Sequence, residues 1–234
     1  MRVSLAEVET LVSKAASGAR VAPGVSDLVA VASRWLRLYG LPGETVAARA
    51  LTNWLEQRSV AVQALDNGVF GPKAENRKAS AMFAGAALVD HEPLTNRGMV
   101  IQSPDEPLLL LAMVATAFES GTTMIAWRDP DSGLQGLRIE DSRYTIFARS
   151  IDRLQSPGQI GANLSCTADL DWETAPVLIN DQTLSTRRET AYSKGVELDR
   201  SSISILDRWA AAALVPDSER SHDKGAGAGR IDSN

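Results

Sequence analysis

The segment Leu108–Phe118 (Leu-Leu-Leu-Leu-Ala-Met-Val-Ala-Thr-Ala-Phe) constrains this chain more than any other. It is apolar nearly all round, so as a helix it has no face for solvent and must be enclosed on most sides. It is also too short to span a bilayer, which takes about 20 apolar residues. A chain carrying it must therefore wrap other elements around a central helix. The stretch ahead of it, Ser103-Pro104-Asp105-Glu106, reads as a helix start: an N-cap serine, a proline in the first turn and two acids at the positive end of the dipole.

What surrounds that helix is readable on both sides. Ser4-Leu5-Ala6-Glu7 is a capping box, with Leu5, Val8, Val12 and Ala15 at helical spacing behind it and Gly18 as a stop. A second helix is expected from about Ser26, burying Leu28, Val31, Ala32, Trp35 and Tyr39, and ending at Gly40-Leu41-Pro42-Gly43. A third follows from Glu44, burying Val46, Leu51, Trp54 and Leu55. Asp66–Lys78 reads as a surface loop, Met82–Val89 fits helix or strand, and Gly98–Gln102 reads as a strand.

After Gly121 the texture turns to short β segments. Thr123–Arg128 and Leu134–Glu140 flank Asp129-Pro130-Asp131-Ser132-Gly133, where proline fixes φ and glycine supplies a positive one. Arg143–Arg149 follows, then Ile160–Leu170 with strict alternation, then Val177–Asn180. Helix returns at Ser202, with Ile203, Leu206, Trp209 and Ala213 on one face. The fold class is α+β: N-terminal helices, a buried central helix, a mainly antiparallel sheet and a C-terminal helix. Residues 1–216 form one domain, and 217–234 a Gly/Ala-rich polar tail.

The chain has 234 residues, a net charge of −5 and one cysteine. The charge argues against a nucleic-acid partner, which needs a basic face. A lone Cys166 excludes an internal disulfide and suits a reducing compartment. Without an apolar leader or a spanning segment, the expectation is a cytoplasmic protein with no membrane partner. One cysteine and two histidines cannot assemble a Cys/His zinc site, and no phosphate-binding loop, dinucleotide fingerprint or nucleophile elbow is present. No cofactor and no metal are expected.

The densest chemistry lies in Asp90-His91-Glu92-Pro93-Leu94-Thr95-Asn96-Arg97-Gly98. Its plain reading is a solvated connector. Its functional reading makes His91, Asp90 and Glu92 a proton-handling group, with Arg97 and Asn96 holding an anionic substrate. Arg138, Arg143, Arg149 and Arg153 recur through the β region and read as the solvated side of a sheet. Cys166 reads as a small core residue. Arg187-Arg188 is an adjacent basic pair, and Tyr192 and Lys194 lie too close for a helical Tyr–Lys pair.

Four stretches carry a family resemblance: Val3-Ser4-Leu5-Ala6-Glu7-Val8-Glu9, Trp35-Leu36 with Gly40–Gly43, Pro107–Leu111, and Val215–Glu219 with Gly225–Gly229. They resemble an uncharacterised proteobacterial family, a domain of unknown function, over nearly the whole chain. That resemblance implies one domain and assigns no residue a role. The first forty residues are also similar to the N-terminal helices of malate/L-lactate-type NAD(P) dehydrogenases. That family implies a Ser-His-Gly here, with a catalytic histidine; Gly40-Leu41-Pro42-Gly43 fills the place, so the resemblance brings no activity with it. Two functional readings follow. The favoured one is a non-catalytic accessory or self-associating subunit, a homo-oligomer or a protein's partner. The alternative is a cofactor-free enzyme or binder for an anionic small molecule.

Overall fold

Helix formation starts at the capping box. Ser4 Oγ accepts from the Glu7 N–H at 3.2 Å, and the Glu7 carboxylate accepts from the Ser4 N–H at 2.7 Å. A computed structural model describes residues 1–65, 68–90, 98–118, 122–129, 133–157, 163–167 and 175–213. Helices α1 (Leu5–Gly18), α2 (Pro23–Leu38) and α3 (Gly43–Leu55) open the chain. Helix α2 faces inward differently from the expected stripe: Val29, Ala32, Ser33 and Leu36 are buried beside Trp35, while Val31 is 37% exposed. Between α2 and α3, Gly40 takes a φ of +75°, and a Cβ on Gly43 would stand 2.0 Å from the Ser33 carbonyl oxygen. Only glycine lets the two helices meet that closely.

Four short strands follow α3, and the last two enter the stretch Asp66–Lys78, expected as a loop. They are β2 (Ser59–Val60), β3 (Val62–Ala64), β4 (Val69–Pro72) and β5 (Lys78–Ala79). Sheet pairing overrides the Gly/Pro content: β3 hydrogen-bonds β4, β2 runs parallel to β5, and Phe70 is buried. The ambiguous segment is helix α4 (Ala81–Asp90), followed by β6 (Met99–Gln102). Helix α5 runs Pro107–Ala117, and Leu108 to Leu111 are all 1% exposed or less. Truncating any of these leucines to alanine costs about 2–5 kcal/mol.

Strands β7 (Thr122–Asp129), β8 (Gly133–Glu140) and β9 (Arg143–Phe147) then form an antiparallel meander, with Gly133 at φ +80° closing the turn. After α6 (Ile151–Leu154) come β10 (Asn163–Thr167), β11 (Val177–Ile179), α7 (Asp181–Lys194), β12 (Val196–Glu197) and α8 (Arg200–Ala212). Helix α7 is absent from the sequence reading because it buries only Leu184 and Ala191, too few to set a period. Strand β12 pairs with β1 (Arg2–Val3).

The main sheet has the order β11-β9-β8-β7-β10-β6-β4-β3, antiparallel except at β4–β6. Its register puts Leu164 and Cys166 on one face with Ile125, Trp127, Met99 and Ile101. That face joins the main core, and α5 lies against β7 and β8 with α2 and α4 packed on it. The expected α+β architecture around a central helix is what the chain adopts. Among the described residues, no helix is long and apolar enough to cross a membrane. The expected tail from 217 lies outside the described residues.

Candidate functional site

The two acids ahead of α5 are not a solvent-facing helix start. Ser103 adopts a φ of +51°, a left-handed conformation that costs a non-glycine residue roughly 1 kcal/mol or more. The turn is held by β5: the Ala79 N–H donates to the Ser103 carbonyl at 2.8 Å, and the Asp105 N–H donates to the Ala79 carbonyl at 2.9 Å. This swings Asp105 and Glu106 inward, where they are 0% and 1% exposed. The helix begins only at Pro107, whose missing N–H is no loss at a first helical position.

Each buried carboxylate has partners from a different element. Asp105 accepts from the Ala81 N–H at 2.7 Å and from the Asn53 amide at 3.4 Å. Glu106 meets Arg49 of α3 fork to fork, with Nε at 3.0 Å and Nη2 at 2.7 Å. Nη2 also donates to the Gln155 carbonyl at 2.8 Å. Burial pushes the Glu106 carboxyl up to about 7, helped by the neighbouring Asp105 charge and opposed by Arg49 and Lys78. Burial also raises Asp105, against the pull of the Ala81 N–H, Ser59 and Asn53.

Glu106 and Arg49 stand on the wall of a cavity of about 440 Å³. Thr52 and Asn53 of α3, Arg58 and Lys78 line it with them, and Ile205 and Pro157 supply an apolar side. Three cations therefore face one buried acid. Arg58 pairs outward with Glu56 in an exposed contact, which holds it only weakly. A larger groove of about 610 Å³ lies between α1 and the end of α7. Its Glu9–Arg34 pair keeps 36% and 39% of those side chains in solvent, where an ion pair is worth little.

Of the site residues expected from sequence, one is described. Asp90 is the exposed last residue of α4, while His91, Glu92, Asn96 and Arg97 lie outside the described residues. Arg138 of β8 pairs with Glu140 at 3.1 Å and Arg143 of β9 is exposed, the solvated sheet side that the sequence suggests, whereas the exposed Arg149 and Arg153 lie past the sheet, Arg153 in α6. Cys166 is buried and its thiol is pushed up to about 12, as suits a core residue. Arg187 donates to the Tyr39 carbonyl at 3.1 Å, tying α7 to the end of α2. The sequence reading misses Arg49, Asp105 and Glu106. A signal does exist: acids abutting a helix buried on all sides are themselves drawn inside. Among the described residues, no cluster of three or more His, Cys, Asp or Glu is placed to hold a metal.

Residues 3–81 match the family described as "Protein of unknown function (DUF3726)". The match takes in Arg49, Asn53, Arg58 and Lys78 and ends before Asp105 and Glu106. It bears out the resemblance to a domain of unknown function over that span. No curated protein matches the chain. Solved structures do. The malate dehydrogenase of Pyrococcus horikoshii has a TM-score of 0.60 at 7% identity, covering 92% of this chain and 96% of its own. The malate dehydrogenase of Entamoeba histolytica has 0.59 at 6%, covering 92% and 99%. A dehydrogenase from Sinorhizobium meliloti has 0.56 at 12%, covering 92% and 99%. At these identities the likeness is one of fold. The Gly40–Gly43 turn is a close-packing device with no ionisable side chain.

Proposed function

We propose that this protein binds a small anionic metabolite of the carboxylate class in the cavity between α3, β5 and the start of α5. The observation that carries the reading is Glu106. It is a buried carboxyl raised to about 7, on the wall of a cavity that also bears Arg49, Arg58 and Lys78. A titratable group tuned by burial and a specific charge partner, inside a concave site, is the usual mark of function. The guanidinium and ammonium groups would hold the ligand's carboxylates, and Thr52 and Asn53 offer neutral polar contacts. Glu106 would take up or release a proton beside the bound ligand, with its midpoint near neutrality. The fold shared with proteins named malate dehydrogenases is in keeping with a dicarboxylate ligand. Support for a binder is thus more specific than for the accessory subunit, which rests on the sparseness of catalytic spacing.

The test is a thermal-shift and calorimetric panel of malonate, malate, succinate and phosphate against wild type, Arg58→Ala and Lys78→Ala. A ligand at 100 times its Kd should stabilise wild type by about 2.7 kcal/mol, a rise of a few degrees. Each substitution should weaken binding at least several-fold. No response to any anion in wild type, together with self-association in sedimentation, would return the protein to the accessory reading.

A further inference from the structure

Arg49 is a single guanidinium with two claims on it. Its Nε and Nη2 are engaged with Glu106, yet its side chain is 33% exposed and lines the cavity, whereas Glu106 is 1% exposed. An entering carboxylate therefore reaches the arginine and not the glutamate. From this asymmetry we infer that Arg49 is a switch: the ligand's carboxylate takes over the guanidinium fork from Glu106, and Glu106 takes up one proton from solvent as the ligand enters. The inference rests on the binding reading above and specifies how that site is regulated.

The physical argument concerns what Glu106 becomes once Arg49 is withdrawn. A buried carboxylate without its partner is far costlier than a neutral carboxyl, so the group protonates. The groups facing it reinforce this. Asp105, on its own segment and fully buried, repels a second negative charge. Arg49 of α3 is the cation being withdrawn. Lys78 of β5 favours the charged form, and Arg58 shares the wall, but the ligand's own charge draws on both. From α8 only apolar Ile205 reaches the cavity, and Asn53 and Thr52 carry no charge. Because free Glu106 already titrates near 7, the proton is available at neutral pH at little cost.

The decisive experiment is calorimetric titration of the full chain with malonate at pH 8, in two buffers of different ionisation enthalpy. Malonate is fully ionised there, so any proton taken up enters the protein. The switch predicts uptake near one proton per malonate, with Kd weakening about tenfold per pH unit above 7 and flat below 6.5. Glu106→Gln should bind malonate with no proton uptake, a pH-flat Kd and about tenfold higher affinity than wild type at pH 8. Wild type that binds malonate with no uptake and a flat Kd from pH 6 to 8.5 overturns the switch and leaves the binding reading standing. No binding of malonate or any other panel anion removes both.

Discussion

Two glutamates in this molecule are each 1% exposed and each meet an arginine, and they have opposite characters. Glu44, at the start of α3, forms an ion pair with Arg37 at 2.8 Å and accepts from the Asp199 N–H at 3.0 Å. Arg37 also donates to the Leu41 carbonyl at 3.2 Å and to the Glu197 carbonyl. The pair closes the junction of α2, α3, β12 and α8, and its arginine is only 14% exposed. Glu106 has a fork-on partner with better geometry, yet its neighbours are a second buried acid and a cavity. Burial and a salt bridge are common to both, so neither marks a working site. What differs is how far the arginine stands in the open, 14% for Arg37 against 33% for Arg49, and whether a second buried carboxylate sits alongside.

The comparison breaks or holds first on truncating the arginines. Arg37→Ala strands Glu44 in the interior with one backbone donor, and should cost about 3–5 kcal/mol in urea denaturation at pH 7.5. Arg49→Ala removes an equally buried acid's partner but should cost only about 1–2 kcal/mol, because Glu106 can protonate instead of remaining charged. Equal losses in the two variants would mean that protonation of Glu106 brings no relief when its arginine is lost, and the distinction would fall.

The Glu44 region is far more legible in the sequence than the Glu106 region. The capping box at Ser4–Glu7, the four-leucine run of α5 and the Asp129–Gly133 turn are local signals, read from neighbours within a few residues. The Gly40–Gly43 stop is equally plain, although its reason, the contact of Gly43 with Ser33, needs the fold. Arg49 and Glu106 are 57 residues apart, and no local pattern joins them. Asp105 and Glu106 read as helix-dipole partners because the rule for that position is local too. The left-handed turn at Ser103, which carries them inward, follows from pairing with β5 and leaves no periodicity to read. Helix α7 escapes the sequence reading for a related reason: it is nearly all polar, and its end signals, Asn180 and Gly195, are not enough without a buried stripe.

A second way to sharpen the comparison is pH. The folded Glu106 carboxyl, raised from 4.5 to about 7, binds its proton more tightly than the unfolded one. The folded state therefore holds the extra proton between those values, and stability falls as pH rises through that window. Above 7 the slope vanishes, and the whole contribution amounts to about 3 kcal/mol. Asp105, also raised by burial, tilts the curve in the same direction. Glu106→Gln should flatten most of this slope and be more stable than wild type at pH 8, by on the order of 1 kcal/mol once the lost pairing with Arg49 is counted. Denaturation midpoints at pH 5, 6, 7 and 8 measure it; a wild-type curve that rises from pH 5 to 7 would contradict the placement of Glu106.

The smallest effect separates the two acids of the site from one another. Asn53 lines the cavity and reaches Asp105 across 3.4 Å, a long contact that still pulls its carboxyl down. Asn53→Ala removes that pull and lets Asp105 rise further, so folded Asp105 keeps its proton to higher pH. The loss should be about 0.5–1 kcal/mol, and larger toward high pH, where the charged form of Asp105 is favoured, than toward low pH. Anion binding gives the second readout. A neutral or less charged Asp105 repels Glu106 less, so Asn53→Ala should lower the midpoint of Glu106 and shift the pH dependence of malonate affinity downward. If stability changes equally at high and low pH and the binding profile stays put, Asn53 merely packs, and Asp105 does not tune the site.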